Sequence, residues 1–157
     1  MKRNKHIAHL SRDHHTGLLF CWKIRQGLRL QAPASRMAPY VDYFYTKHLL
    51  PHFREEEEIL FRLLPGDTLC GEAIRQHTEL AKLAGLITSN EQPEENDLRQ
   101  LADMLDEHIR FEERKLFPHI EQGLTDAQLE KAGNELAPLH QAKNNDDYPD
   151  EFWVRQQ

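Results

Sequence analysis

No apolar run in the 157 residues approaches the ~20 that a membrane-spanning helix needs. The N-terminus has no signal-peptide core either, because His6, His9 and Ser11 to His15 interrupt it. There are two cysteines, Cys21 and Cys70, with no CxxC spacing and too few partners for a disulfide framework. Basic clusters are missing, and the net charge of −6 is a poor match for nucleic acid or an anionic membrane surface. Strand signals are also absent: no sustained period-two alternation and no Asn-Gly or Asp-Gly hairpin turn. These absences exclude a membrane protein, a disulfide-stapled secreted module and a nucleic-acid binder. They leave a cytoplasmic, soluble, helical chain whose oligomeric state is open. At 39% hydrophobic and 29% charged residues, it has enough apolar material for one well-filled core.

What the chain has in excess is histidine. There are ten, scattered rather than in a tract. Proline and glycine punctuation divides the sequence into long helical segments. The first is expected from about Lys5 to Leu30, and the longest loop follows it. The second starts near Pro39 and runs to Leu64; the third, capped by Asp67, runs to about Thr88. The fourth opens after Pro93 and reaches about Gly123. Thr125 and Gln128 form a capping box for a short fifth helix ending near His140. Pro51 and Pro118 fall inside the second and fourth segments, where each should remove a hydrogen bond and bend its helix. The expected fold is all-α, an antiparallel up-down-up-down four-helix bundle with a short fifth helix and a C-terminal tail. One domain would span 1–143, with its core bundle at about 5–123 and the short helix at about 125–140. The tail, 144–157, would be frayed or docked by Phe152 and Trp153.

Two stretches match each other. HFREEEEILF from His52 and HIRFEERKLF from His108 both read His, three residues, Glu, Glu, two residues, Leu, Phe. A His–Glu pair at i,i+4 lies on one helix face, one turn apart. At about 100° per residue, His52 and Glu56 share a face with Tyr45, Leu49, Ile59, Leu60 and Leu63. His108 and Glu112 share one with Leu101, Leu105 and Leu116. His77 lines up with Cys70, Ile74, Ala81 and Ala84. His14 is near the middle of an Ile7, Leu10, Leu18, Cys21, Leu28 stripe, with His15 about 100° round. Glu55 is marginal, and Glu57, Glu58 and Glu113 read as solvated, so Glu57→Gln is expected to be near neutral for metal content. His48 either supports the inner residues or covers a partly exposed surface; His119 belongs to the bundle end, and His6, His9 and His140 to the surface.

Each of the four helices therefore places a histidine on its apolar face near mid-length, and two add a glutamate. Carboxylates buried without a counter-charge cost several kcal/mol, and cations supply that charge. Four imidazoles and two carboxylates are too many ligands for one tetrahedral zinc. Two ions sharing both carboxylates account for them and leave open positions for a small molecule.

The set resembles the hemerythrin-like HHE cation-binding domains, over roughly residues 5–123, on LSRDHH at 10, HFREEEEILF at 52, RQHTEL at 75 and HIRFEERKLFPHI at 108. The resemblance implies two iron ions in an oxo- or hydroxo-bridged di-iron centre, with manganese or zinc as alternatives. The ligands it implies are His14 or His15, His52, Glu56, His77, His108 and Glu112, with both glutamates bridging. Leu10 and Asp13 favour His14 as the first; Leu18 favours His15. The implied function is binding of a small diatomic, dioxygen or nitric oxide, for storage, sensing or detoxification. A di-iron redox enzyme or an iron-centre repair protein is the alternative, and a structural bundle with a decayed site is disfavoured by the complete ligand set.

Overall fold

The computed structural model describes residues 2–141 and 145–155, and within them the chain is all-α, with no strand. Helix α1 is Ala8–Arg29. It ends in a left-handed residue, Gln31 at φ 61°, and the amides of Gln31 and Ala32 return to the carbonyls of Leu28 and Gly27. This closure satisfies the last carbonyls and reverses the chain within a few residues. Helix α2 consequently starts at Ala34 and not at Pro39, and the connection after α1 is not the longest: residues 90–94 form a longer one. Pro39 sits inside α2, where its missing amide forfeits one bond. The earlier start buries Ala34 and Met37, which offsets that loss.

The second rod continues from α2 (Ala34–Phe44) through a π turn, Tyr45–Leu49, into α3 (Leu50–Glu55). A second π turn, Glu56–Leu60, and a 3₁₀ turn to Leu63 complete it. Helix α4 is Thr68–Ser89, capped by the Asp67 carboxylate, which accepts from the Cys70 amide at 3.0 Å. Helix α5 (Glu95–Phe111) passes through a π turn, Glu112–Leu116, into α6 (Phe117–Gly123). Helix α7 is Asp126–Gln141. Its expected capping box is present: the Thr125 amide donates to Gln128 Oε1 at 2.9 Å and the Gln128 amide to Thr125 Oγ1 at 3.2 Å. A π turn precedes each awkward proline. The Leu50 amide bonds five residues back to Tyr45, and the Phe117 amide to Glu112, immediately before Pro51 and Pro118. The widened turns absorb the prolines without ending either rod.

Helix α1 packs along α5, and α4 packs on both α2 and α5. The apolar interior divides into two parts. One contains Phe20, Ile24, Tyr40, Phe44, Leu80, Leu101 and Leu105; the other contains Ile7, Leu10, Leu60, Ala73, Leu116, Phe117 and Ile120. Along every rod the change from one part to the other occurs at a buried histidine or glutamate: His14, His52 to Glu56, His77, and His108 to Glu112. The bundle is two hydrophobic cores with a polar layer between them.

The tail residues that are described are docked. Phe152 is 1% exposed and fills the space over Gly27, where a Cβ would come within 2.6 Å of its ring. Lys23 donates to Asp146 at 3.0 Å, Arg36 to Asp150 at 2.7 Å and Tyr43 to Asp147 at 2.7 Å. The expected 143/144 boundary between domain and tail lies outside the described residues. Phe152→Ala is expected to cost about 3 kcal/mol, the range for deleting a buried aromatic. Trp22→Ala, at a half-exposed ring, should cost under about 0.5 kcal/mol. Denaturant midpoints of the two variants check this; equal shifts would mean that the tail contributes nothing.

Candidate metal centre

The polar layer brings together six side chains: His14, His52, Glu56, His77, His108 and Glu112, all buried, the two glutamates at 0% exposure. His15 is exposed, so of the two adjacent histidines it is His14 that points into the layer. Both glutamates are the first residue of a π turn: the amide of Phe61 bonds to the Glu56 carbonyl, and that of Phe117 to the Glu112 carbonyl. The duplication seen in the sequence therefore extends to the backbone.

Each carboxylate turns its two oxygens toward different histidines. Glu56 presents Oε2 to His52 Nε2 at 3.4 Å and Oε1 to His77 Nε2 at 3.2 Å. Glu112 presents Oε1 to His14 Nε2 at 2.9 Å and Oε2 to His108 and His77 Nε2 at 3.3 and 3.5 Å. Two groups result, His14–His52–Glu56–Glu112 and His77–His108–Glu56–Glu112. In each, one donor atom from every residue lies within 4.8 Å of the others, and each can hold a metal ion. They share both glutamates, one oxygen to each side.

The outer nitrogens are also held. Nδ1 of His14 meets Glu113 at 2.8 Å, that of His52 meets Asp13 at 3.0 Å, that of His77 meets Glu57 at 2.6 Å, and that of His108 meets Gln76 Oε1 at 2.7 Å. These partners accept, so each ring donates its Nδ1–H outward and turns Nε2 inward, where that of His14 also hydrogen-bonds to Glu112 Oε1 at 2.9 Å. Nε2 of His52, His77 and His108, both oxygens of Glu56 and Oε2 of Glu112 meet one another only in ion-pair contacts of 3.2 to 3.5 Å, without a well-formed hydrogen bond. A buried set of carboxylate oxygens and imidazole nitrogens so placed suits a cation, whether metal ion or proton.

Without a metal, protons take that place. Burial by itself would lower the histidines, but the Glu56 charge and bonds to Asp13 and Glu56 push His52 up to about 10. For His77, burial is likewise overcome by Glu112, Glu56 and Glu57, and the ring is pushed up to about 11. His14 is raised against burial by Glu112 and Glu113. Burial would raise Glu112, yet the His108 charge and bonds from His108, His14 and His77 hold it well below the usual carboxylate range.

Several sequence expectations are corrected here. Glu57 and Glu113 are not simply solvated. Each lies about 100° round from its inner neighbour, and in a bundle that flank faces the adjacent helix, where a histidine Nδ1 waits. Glu55 is buried, not marginal. His9 is buried rather than on the surface, its ring 4.9 Å from that of His140. Ile74 turns outward, and Ala73 takes its place on the inner face of α4. His119 bonds to Asp67 at 2.6 Å, at the bundle end as expected. The four outer partners, Asp13, Glu57, Gln76 and Glu113, were missed. The doubled glutamate kept in both copies of the motif was the available signal for two of them.

A cavity of about 250 Å³ opens on the layer. His14, His52 and His108 line it together with apolar Phe44, Leu49, Phe53, Leu105 and Ile109, and its wall also includes polar groups, among them Asp13, the half-buried His48 and His140 and exposed Arg12. Cys21 and Cys70 are free and buried, and burial pushes both thiols up to about 12. No helix among the described residues is long and apolar enough to cross a membrane.

A family model described as the hemerythrin HHE cation binding domain matches residues 5–120. No curated protein and no solved structure matches the chain.

Proposed function

The chain belongs to the hemerythrin HHE cation-binding domain family, and from that membership we propose that it is a non-haem di-iron protein binding a small ligand such as dioxygen or nitric oxide. His14 and His52 would hold one ion, His77 and His108 the other, and Glu56 and Glu112 would serve both. The observation that carries this reading is the split of each carboxylate, one oxygen toward each histidine pair. A single ion would not use that arrangement, whereas two ions need it. Imidazole with carboxylate suits iron, with manganese or zinc as substitutes.

Iron, when bound, would supply the redox chemistry. The chain supplies the rest. Asp13, Glu57, Gln76 and Glu113 fix the ring orientations. Leu49, Phe53, Leu105 and Ile109 give the cavity an apolar wall that admits an uncharged diatomic. A reducing compartment, the cytoplasm, suits a chain with two free buried thiols.

The cavity volume favours a second reading. At about 250 Å³ it exceeds the space of a diatomic, which fits a redox enzyme acting on a larger molecule such as an organic peroxide. Anaerobic reconstitution with ferrous iron tests both readings. Two irons per chain and a stable, reversible optical band on admitting oxygen support a carrier or sensor. Rapid irreversible oxidation with peroxide turnover supports the enzyme. Fewer than one iron per chain sinks the di-iron reading.

A further inference from the structure

The two halves of the centre are alike in their inner ligands and unlike behind them. His14 and His52 are both backed by carboxylates, Glu113 and Asp13. In the other half His77 is backed by a carboxylate, Glu57, but His108 by the amide of Gln76. The orientation of that amide follows from its own partner: Gln76 Nε2 donates to Glu72 at 3.0 Å, so Oε1 is the atom that accepts from His108. Glu72 is in turn held by Arg75 at 2.6 Å. Gln76 and His108 also line a separate cavity of about 150 Å³, with Glu79 and Glu107, on the flank between α4 and α5.

A carboxylate behind an imidazole makes it a stronger donor to a cation, and a neutral amide does so less. We infer that Gln76 makes the centre unequal, so that the His77–His108 position takes its metal ion second and more weakly than the His14–His52 position. This rests on the two-ion reading above. Gln76 is a positioning residue in this scheme, acting on the metal through His108. Its consequence is a protein that passes through a one-metal state, with the exchangeable ion beside the smaller cavity.

The test uses zinc alone, added to metal-free protein and followed by calorimetry and by histidine ¹⁵N resonances. Repulsion between adjacent cations separates the two steps in any shared centre, so separation by itself decides nothing; order and direction do. The first equivalent should shift the His14 and His52 Nε2 signals, and the second those of His77 and His108. The exchange variant Glu72→Gln with Gln76→Glu keeps the net charge and the amide-to-carboxylate bond but puts the charge behind His108. It should tighten the second step about tenfold, the lower end of effects seen when such supporting partners change. A merely structural role for Gln76 would loosen that step instead. Glu113→Gln gives an independent answer from the other half, by weakening the first step. The inference is overturned if His77 and His108 respond first, or if the exchange variant leaves the second step unchanged or weaker. Uptake of fewer than two ions by the natural protein overturns the two-ion reading, and is recognisable as that failure.

Discussion

Glu56→Gln is expected to strip the centre: protein that loads two irons per chain should retain fewer than one. Glu112→Gln should do the same. Each carboxylate gives an oxygen to both histidine pairs, so one substitution takes a donor and half of the shared negative charge from both positions at once. The amide that replaces it offers one neutral oxygen and an NH₂ group aimed at a cation. Folding is not the cause of the loss. Removing a buried carboxylate takes a partner from the raised His52 and His77, so the metal-free midpoint should fall, while the helical circular-dichroism signal at room temperature should persist. Glu57→Gln is the informative neighbour. Helical phase alone makes it near neutral, but Glu57 accepts from His77 at 2.6 Å, so it should weaken uptake about 10–100-fold while still reaching two irons at high concentration. Glu58→Gln, fully outside the layer, should leave uptake unchanged. Metal analysis after dialysis separates these outcomes. Two irons retained by Glu56→Gln would end the bridging role.

The fold was largely readable because its signals are local. Period and punctuation place the helices, and Asp67 and Thr125 carry their caps in the sequence. The second helix was misplaced because Pro39 makes a good first residue and the alternative needs tertiary knowledge. Starting at Ala34 is favoured only because Met37 and Tyr40 then reach the core, with Phe152 from the far end of the chain packing on Tyr40. Five of the six inward residues, His52, Glu56, His77, His108 and Glu112, were readable from repetition and phase. The choice between His14 and His15 was not, since apolar neighbours sit on both sides and only the packed neighbours settle which ring turns in. The outer partners are a different kind of information. Phase says that Glu57 does not face the centre; it does not say which helix stands on that flank. His9 shows the same limit, because its burial beside His140 depends on where α7 returns. Pairings between rods are long-range facts, and one helix read alone does not contain them.

Loading with metal is expected to raise the thermal midpoint by about 10 °C, with the gap between loaded and metal-free protein widening as pH rises. At free metal about 1,000 times its dissociation constant, binding only the folded state adds roughly 4 kcal/mol. A domain of this size gains about 2–4 °C per kcal/mol. The pH dependence follows from what holds the layer together without metal. In the folded metal-free protein His52 is pushed up to about 10 and His77 to about 11, against an ordinary value of about 6.5. The folded state therefore binds more protons than the unfolded chain between those values. The stability that this confers is fully present below about pH 6.5 and is lost as pH rises through 10 and 11. Bound cations replace those protons, so the loaded protein does not share the loss. Metal affinity must strengthen over the same range, since each ion displaces protons from Nε2 atoms that the carboxylates would otherwise keep protonated. Melting curves with and without zinc at about pH 6 and about pH 9 check this. The metal-free midpoint should fall between them and the loaded one hold. A metal-free protein that gains stability with pH would show that the buried carboxylates are not balanced by histidine protons, and the account of the layer would fail at its electrostatic root.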